Sequence, residues 1–173
     1  MMEKLENLTL DNGNGQRKCI RLVTTKIFKE KSILFDLKKV NTPTLAAELV
    51  RKLYENIDRE MLVAMSLDSK CNPLLIEVVA LGNVNTCIVS PREVFKSAII
   101  SNAVHILVFH NHVSGDCAPS KEDISVTKRL IDVGNILGIP VLDHIVVGEE
   151  NYFSLREENI VSFDGNSSMY LKE

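Results

Sequence analysis

The stretch that decides the reading runs from residue 104 to residue 123. It begins Val104-His105-Ile106-Leu107-Val108-Phe109, continues His110-Asn111-His112-Val113-Ser114-Gly115-Asp116, and ends Cys117-Ala118-Pro119-Ser120-Lys121-Glu122-Asp123. The first part is a short apolar run, the pattern of a strand buried on both faces. His105 lies inside that pattern and is assigned no chemical role. Residues 110–119 then form a loop, and Gly115 suits its reversal because glycine tolerates positive φ. Ser120-Lys121-Glu122-Asp123 starts a helix. In extended chain, residues two apart point to the same side, so the imidazoles of His110 and His112 can face one point.

Asp123 lies on the first turn of that helix, which can fold back over the strand end. Zinc takes imidazole nitrogens at about 2.0–2.1 Å and carboxylate oxygens at about 2.0–2.2 Å. His110, His112 and Asp123 therefore make a candidate set of three metal ligands, with a fourth tetrahedral position left for water, as in a catalytic zinc site. A plainer reading stands beside it. Ser120 and Asp123 also match the S-x-x-D pattern of a helix cap.

Working outward, Thr42-Pro43 reads as an N-cap with proline at the first helical position, and Leu45, Leu49, Leu53 with Ala46, Val50, Tyr54 predict an amphipathic helix over 43–56. Residues 60–68 alternate, with Met61, Val63, Met65 and Leu67 on one face and Glu60, Leu62, Ala64 and Ser66 on the other. The turn at 68–73 leads into a second apolar run, 74–81, which completes a hairpin. A short strand is expected at 86–89. Ser90-Pro91-Arg92-Glu93 joins a capping-box pattern to a proline at N1 and predicts a helix over 91–101 that buries Val94, Phe95, Ala98 and Ile99.

The helix opened by Ser120 carries Ile124, Thr127, Leu130, Ile131 and Val133 on one stripe and ends at Gly138, with Pro140 beyond. Residues 141–147 form another strand, and 152–158 a short strand with a helical turn. A hairpin followed by alternating helices and strands predicts an α/β domain of three layers, α/β/α, with a mixed β-sheet. Around it, residues 1–18 read as a flexible lead, 19–40 as a β-rich extension (Ile20 to Thr25, then Ser32 to Phe35) and 161–173 as a tail. The domain itself spans 41–160.

Composition agrees with a single domain. The chain has 173 residues, 45% of them hydrophobic and 25% charged, close to the globular average. Twenty Lys and Arg against 23 Asp and Glu leave a net charge of −3, so there is no basic excess for a broad nucleic-acid face. No apolar run approaches the roughly 20 residues that cross a bilayer, and the polar start does not resemble a signal peptide. A cytoplasmic protein without membrane contact is expected. The four cysteines (19, 71, 87 and 117) form no C-x-x-C pair and read as free thiols.

The loop and helix start, His110-Asn111-His112-Val113-Ser114-Gly115-Asp116 with Pro119-Ser120 and Asp123, resemble the H-x-H-x7-S-x-x-D signature of JAMM/MPN metalloproteases. The nearer resemblance is to the RadC-like JAB domain branch, whose loop reads His-Asn-His-Pro-Ser-Gly-Asp. Ser90-Pro91-Arg92-Glu93-Val94-Phe95, Asp143-His144 and the Tyr152/Ser154 ending are also similar to that branch, and the likeness covers roughly residues 40–160.

The resemblance implies the JAB/MPN (cytidine-deaminase-like) architecture. It also implies one zinc ion per chain on His110, His112 and Asp123, with catalytic roles for Glu60 and Ser120. Glu60 is the match to the family glutamate that precedes an apolar strand; Glu55, Glu77 and Glu93 fit less well. The implied reaction is hydrolysis of a peptide or isopeptide-like amide in a protein or peptide substrate. Glu60 would move the water's proton to the leaving amine, and Ser120 would hydrogen-bond the oxyanion.

Val113 departs from the branch's proline, freeing φ and restoring an N–H. Cys117 could add a thiolate to the metal or remain a free thiol. His144 is either a supporting partner of the site or a buried structural histidine. Two other functions compete with hydrolysis: a DNA-repair-associated role, suggested by the RadC name, and a non-catalytic interaction domain. Residues 1–40 show no helix-hairpin-helix pattern, and the letters His-Asn-His are not the nuclease motif, whose residues are spread over a ββα unit. Direct nucleic-acid binding is therefore the weaker reading.

Overall fold

The computed structural model describes residues 23–32, 39–82 and 89–163. The elements run α1 (Pro43–Tyr54), β1 (Met61–Leu67), β2 (Pro73–Leu81), α2 (Pro91–Ile100), β3 (His105–Asn111), α3 (Lys121–Leu137), β4 (Val141–Val147) and β5 (Tyr152–Ser154). The flexible lead, residues 19–22 and 33–38 of the proposed β-rich extension, residues 86–88 of the strand expected at 86–89 and most of the tail lie outside the described residues. Residues 23–32 take up no regular secondary structure.

The sheet is mixed, in the order β2-β1-β3-β4-β5. β1 is antiparallel to both β2 and β3, β3 is parallel to β4, and β4 is antiparallel to β5. Every residue of β1 is buried. Its two sets of side chains enter different cores: Leu62 and Ala64 join Val94, Phe95, Ala98, Leu130 and Ile131 from α2 and α3. Met61, Val63, Met65 and Leu67 join Ala46, Ala47, Leu49 and Val50 from α1. This is the expected three-layer α/β/α arrangement, with helices on both faces of the central strands.

Local chemistry accounts for the helix ends. The Thr42 hydroxyl accepts from the Leu45 N–H at 3.3 Å, with Pro43 at the first helical position. Gly138, at φ 68°, takes the left-handed turn that ends α3. Three details differ from the sequence reading. Ser90 makes no side-chain cap; Glu93 pairs instead with Lys96 one turn on. Ile99 is 52% exposed, because α2 buries only a narrow stripe of Val94, Phe95 and Ala98. β3 also runs two residues past Phe109, so His110 and Asn111 belong to the sheet and His112 is the first loop residue.

Candidate metal centre

The centre forms where β3 ends and α3 begins. The strand holds His110 fully buried, while His112, just past its end, is 16% exposed. Their Nε2 atoms lie 2.9 Å apart. Asp123 reaches both: Oδ1 is 3.3 Å from His110 Nε2, and Oδ2 is 3.4 Å from His112 Nε2. All three residues offer a ligand atom within 4.8 Å of the others. Tetrahedral zinc with bonds of about 2.0–2.1 Å has ligand–ligand edges of about 3.3 Å, so the two imidazole–carboxylate spacings already match and the imidazole pair needs only a few tenths of an ångström more.

Hydrogen bonding supports that fit. His112 Nδ1 is 2.7 Å from the Asp116 carbonyl oxygen. A carbonyl only accepts, so His112 carries its proton on Nδ1 and turns the Nε2 lone pair inward. A carboxylate and imidazole lone pairs in one small space repel unless positive charge sits among them, either a proton or a metal ion. The donor set is therefore suited to a divalent cation. Burial raises the proton affinity of Asp123. The hydrogen bond and charge of His110, then the contacts from Ser120, outweigh it and hold the carboxyl well below its usual range.

The capping-box residue and the candidate ligand are one and the same, Asp123. Ser120 N–H and Oγ–H both donate to Asp123 Oδ2, at 2.7 and 2.6 Å, and Ser120 Oγ accepts from the Asp123 N–H at 3.1 Å. The capping box thus fixes the carboxylate's orientation, and the two readings of S-x-x-D are compatible. Gly115 has φ 77°, the left-handed turn needed for the loop to return from β3 to α3.

Glu60 immediately precedes β1 and is half-buried. Leu62 stands opposite His110 in the β1–β3 ladder. Glu60 lies two residues before Leu62, so the start of β1 brings it to the end of the sheet where His110 sits. Asn111, given no role by sequence reasoning, secures this approach. Its Oδ1 accepts from the Met61 N–H at 2.8 Å and its Nδ2 donates to the Arg59 carbonyl at 3.2 Å.

His144, on β4, is fully buried against the centre, with Nε2 2.8 Å from His110 Nδ1. Burial and the neighbouring His110 push its pKa well down, which keeps the ring neutral. Its other nitrogen meets Thr127 Oγ1 at 2.6 Å. Sequence reasoning read Thr127 only as part of an apolar stripe. Cys117 is buried, but its thiol donates to Asn151 Oδ1 at 2.9 Å and is not among the clustered metal ligands. His105 is at the far end of β3, half-buried, and its Nδ1 has no hydrogen-bond partner among the described residues.

The chain is thus a mixed-sheet α/β/α domain with two histidines and an aspartate, a group that could hold a metal ion, gathered at a strand–helix junction. Over residues 40–160 the chain matches the RadC-like JAB domain, and it belongs to that family. It is 38% identical to a UPF0758 protein of Methanococcoides burtonii over 161 residues, covering 91% of this chain and 70% of that one. A UPF0758 protein of Desulfitobacterium hafniense is 40% identical over 160 residues, with the same coverages. One from Methanosarcina mazei is 41% identical over 153 residues, covering 87% of this chain and 67% of its own. Among the described residues no helix is long and apolar enough to cross a membrane.

Proposed function

We propose that the protein is a zinc-dependent hydrolase of the JAMM type, acting on a peptide or isopeptide-like amide. One observation carries the reading: His110, His112 and Asp123 converge within 4.8 Å at the mouth of a strand–helix loop. Zinc held there supplies a Lewis acid and a water whose pKa is brought down to about 7. The remaining work falls to the chain's own residues. Glu60 takes the water's proton as oxygen adds to the carbonyl carbon, and returns it to the nitrogen as the C–N bond breaks, giving a carboxylic acid and an amine.

Ser120 is the candidate donor to the oxyanion. Its hydroxyl proton rests on Asp123 Oδ2, where the Ser120 N–H also donates. The hydroxyl can therefore turn toward substrate while the backbone N–H keeps hold of the carboxylate. An open groove lined by Arg51, Tyr54, His112, Val113 and Asn151 among others lies beside His112 at the edge of the centre.

Two measurements test the proposal together. Zinc content of the purified protein is expected to be about one per chain and to vanish in His110→Ala. A library of peptides and isopeptide-linked conjugates, read by mass spectrometry, should yield cleavage that Glu60→Gln abolishes without loss of zinc. Stable, metal-free protein that does not take up zinc would instead favour an interaction domain.

A further inference from the structure

Behind the ligands lies a buried chain of polar groups that the proposed chemistry does not use: Thr127 on α3, His144 on β4, and His110 on β3. The Thr127 hydroxyl donates to the Asp123 carbonyl one turn back along α3, at 2.6 Å. A carbonyl oxygen has no proton to give, so the hydroxyl's single proton is committed there. Only lone pairs of Oγ1 remain to meet His144 Nδ1, 2.6 Å away. His144 must therefore carry its proton on Nδ1.

The consequence passes through the ring. With Nδ1 protonated in a neutral imidazole, His144 Nε2 is an acceptor. Its partner at 2.8 Å is His110 Nδ1, which then has to be the donor. In the neutral ring, the form that can bind a metal, the lone pair of His110 is then on Nε2, the atom 3.3 Å from Asp123 and 2.9 Å from His112 Nε2; without metal a proton on that atom is what pairs with Asp123. Thr127, His110 and His144 are each at most 1% exposed, so no solvent competes for these bonds. The chain begins at the backbone carbonyl of Asp123, so one ligand residue orders the tautomer of another through three elements of the fold.

We propose that Thr127 and His144 are positioning residues which fix the tautomer and ring orientation of His110, presenting its Nε2 lone pair to the metal. The inference rests on the metal reading above. Partners that orient a ligating histidine typically change metal affinity 10- to 100-fold when removed. Thr127→Val keeps the shape of the side chain and deletes the hydroxyl. Thr127→Ser keeps the hydroxyl and loses only a methyl group.

The test measures zinc affinity by competition with a chromophoric chelator in the wild-type protein, Thr127→Val, Thr127→Ser and His110→Ala. It is joined to the nitrogen-15 imidazole spectrum of the zinc-loaded wild type, which depends on no variant folding. Thr127→Val is expected to bind zinc about 10- to 100-fold more weakly, Thr127→Ser to stay within about threefold of wild type, and His110 to show its proton on Nδ1. Wild-type affinity in Thr127→Val, equal weakness in both Thr127 variants, or a His110 proton on Nε2 overturns the inference alone. A wild-type protein that binds no zinc overturns the metal reading and this inference with it.

Discussion

Leu62 of β1 stands directly opposite His110 of β3 in an antiparallel pair. Through that one pairing, a residue with no chemistry of its own aligns two halves of a candidate active site that lie 50 residues apart in the chain, Glu60 and His110. Asn111 reinforces the alignment by holding the backbone of Met61 and Arg59. Replacement of Glu60 by Gln leaves the ladder intact. Zinc content is expected to be unchanged while amide cleavage falls by at least about 100-fold, the scale of a lost general base. Comparable cleavage rates in variant and wild type would remove Glu60 from the mechanism.

The two histidines should differ once the metal is removed. His110 is wholly buried and partners His144, whereas His112 sits at the loop mouth. His110→Ala leaves a cavity and strands a buried imidazole, at a cost of about 2–4 kcal/mol. His112→Ala should cost about 1 kcal/mol or less. Urea unfolding in the presence of a chelator measures both, and equal losses would contradict the burial difference.

Asp123 makes metal-free stability depend on acidity. Its folded pKa lies below the unfolded value, so the unfolded chain binds the proton more readily as the solution becomes acid. The stabilisation is fully present above about pH 4, the unfolded value, and is lost as pH falls through the folded pKa. Compared with wild type, Asp123→Asn should show a shallower decline of stability below about pH 4. Parallel acid-unfolding curves would argue against this role.

Ser120 serves the cap whether or not it serves catalysis. Ser120→Ala removes the hydroxyl that bonds both the Asp123 carboxylate and its N–H. A loss of about 1 kcal/mol is expected from the cap alone, and thermal unfolding of the metal-free variant reads it. Any fall in turnover of about 100-fold or more, measured with zinc content unchanged, then belongs to the oxyanion contact.

Cys117 is expected to be dispensable for metal binding. Burial raises its pKa, so it remains a thiol, and its contact is with Asn151. Cys117→Ala should retain zinc with less than about a twofold change in affinity, within the range of a substitution that alters no ligand. A large loss, or a thiolate-to-metal charge-transfer band in the cobalt-substituted protein, would place the sulfur on the metal.

Much of this was legible from local pattern. The apolar run before His110, the proline-led helix starts at Pro43 and Pro91 and the glycine stop at Gly138 are short-range signals, and the elements formed where those signals stood. The two-residue spacing of His110 and His112 and the S-x-x-D step to Asp123 likewise pointed to one locus. Tertiary structure decided the rest. Only the β1–β3 register brought the start of β1, which Glu60 precedes, level with His110, and only the packing of α3 and β4 against β3 made an apolar-stripe threonine and a strand histidine into partners of a candidate ligand. Hydrophobic periodicity is carried by neighbours in the chain, so one sequence displays it. Hydrogen-bond partnership between distant segments depends on how the sheet is ordered and which side chains are sealed from water together, and no local spacing encodes that.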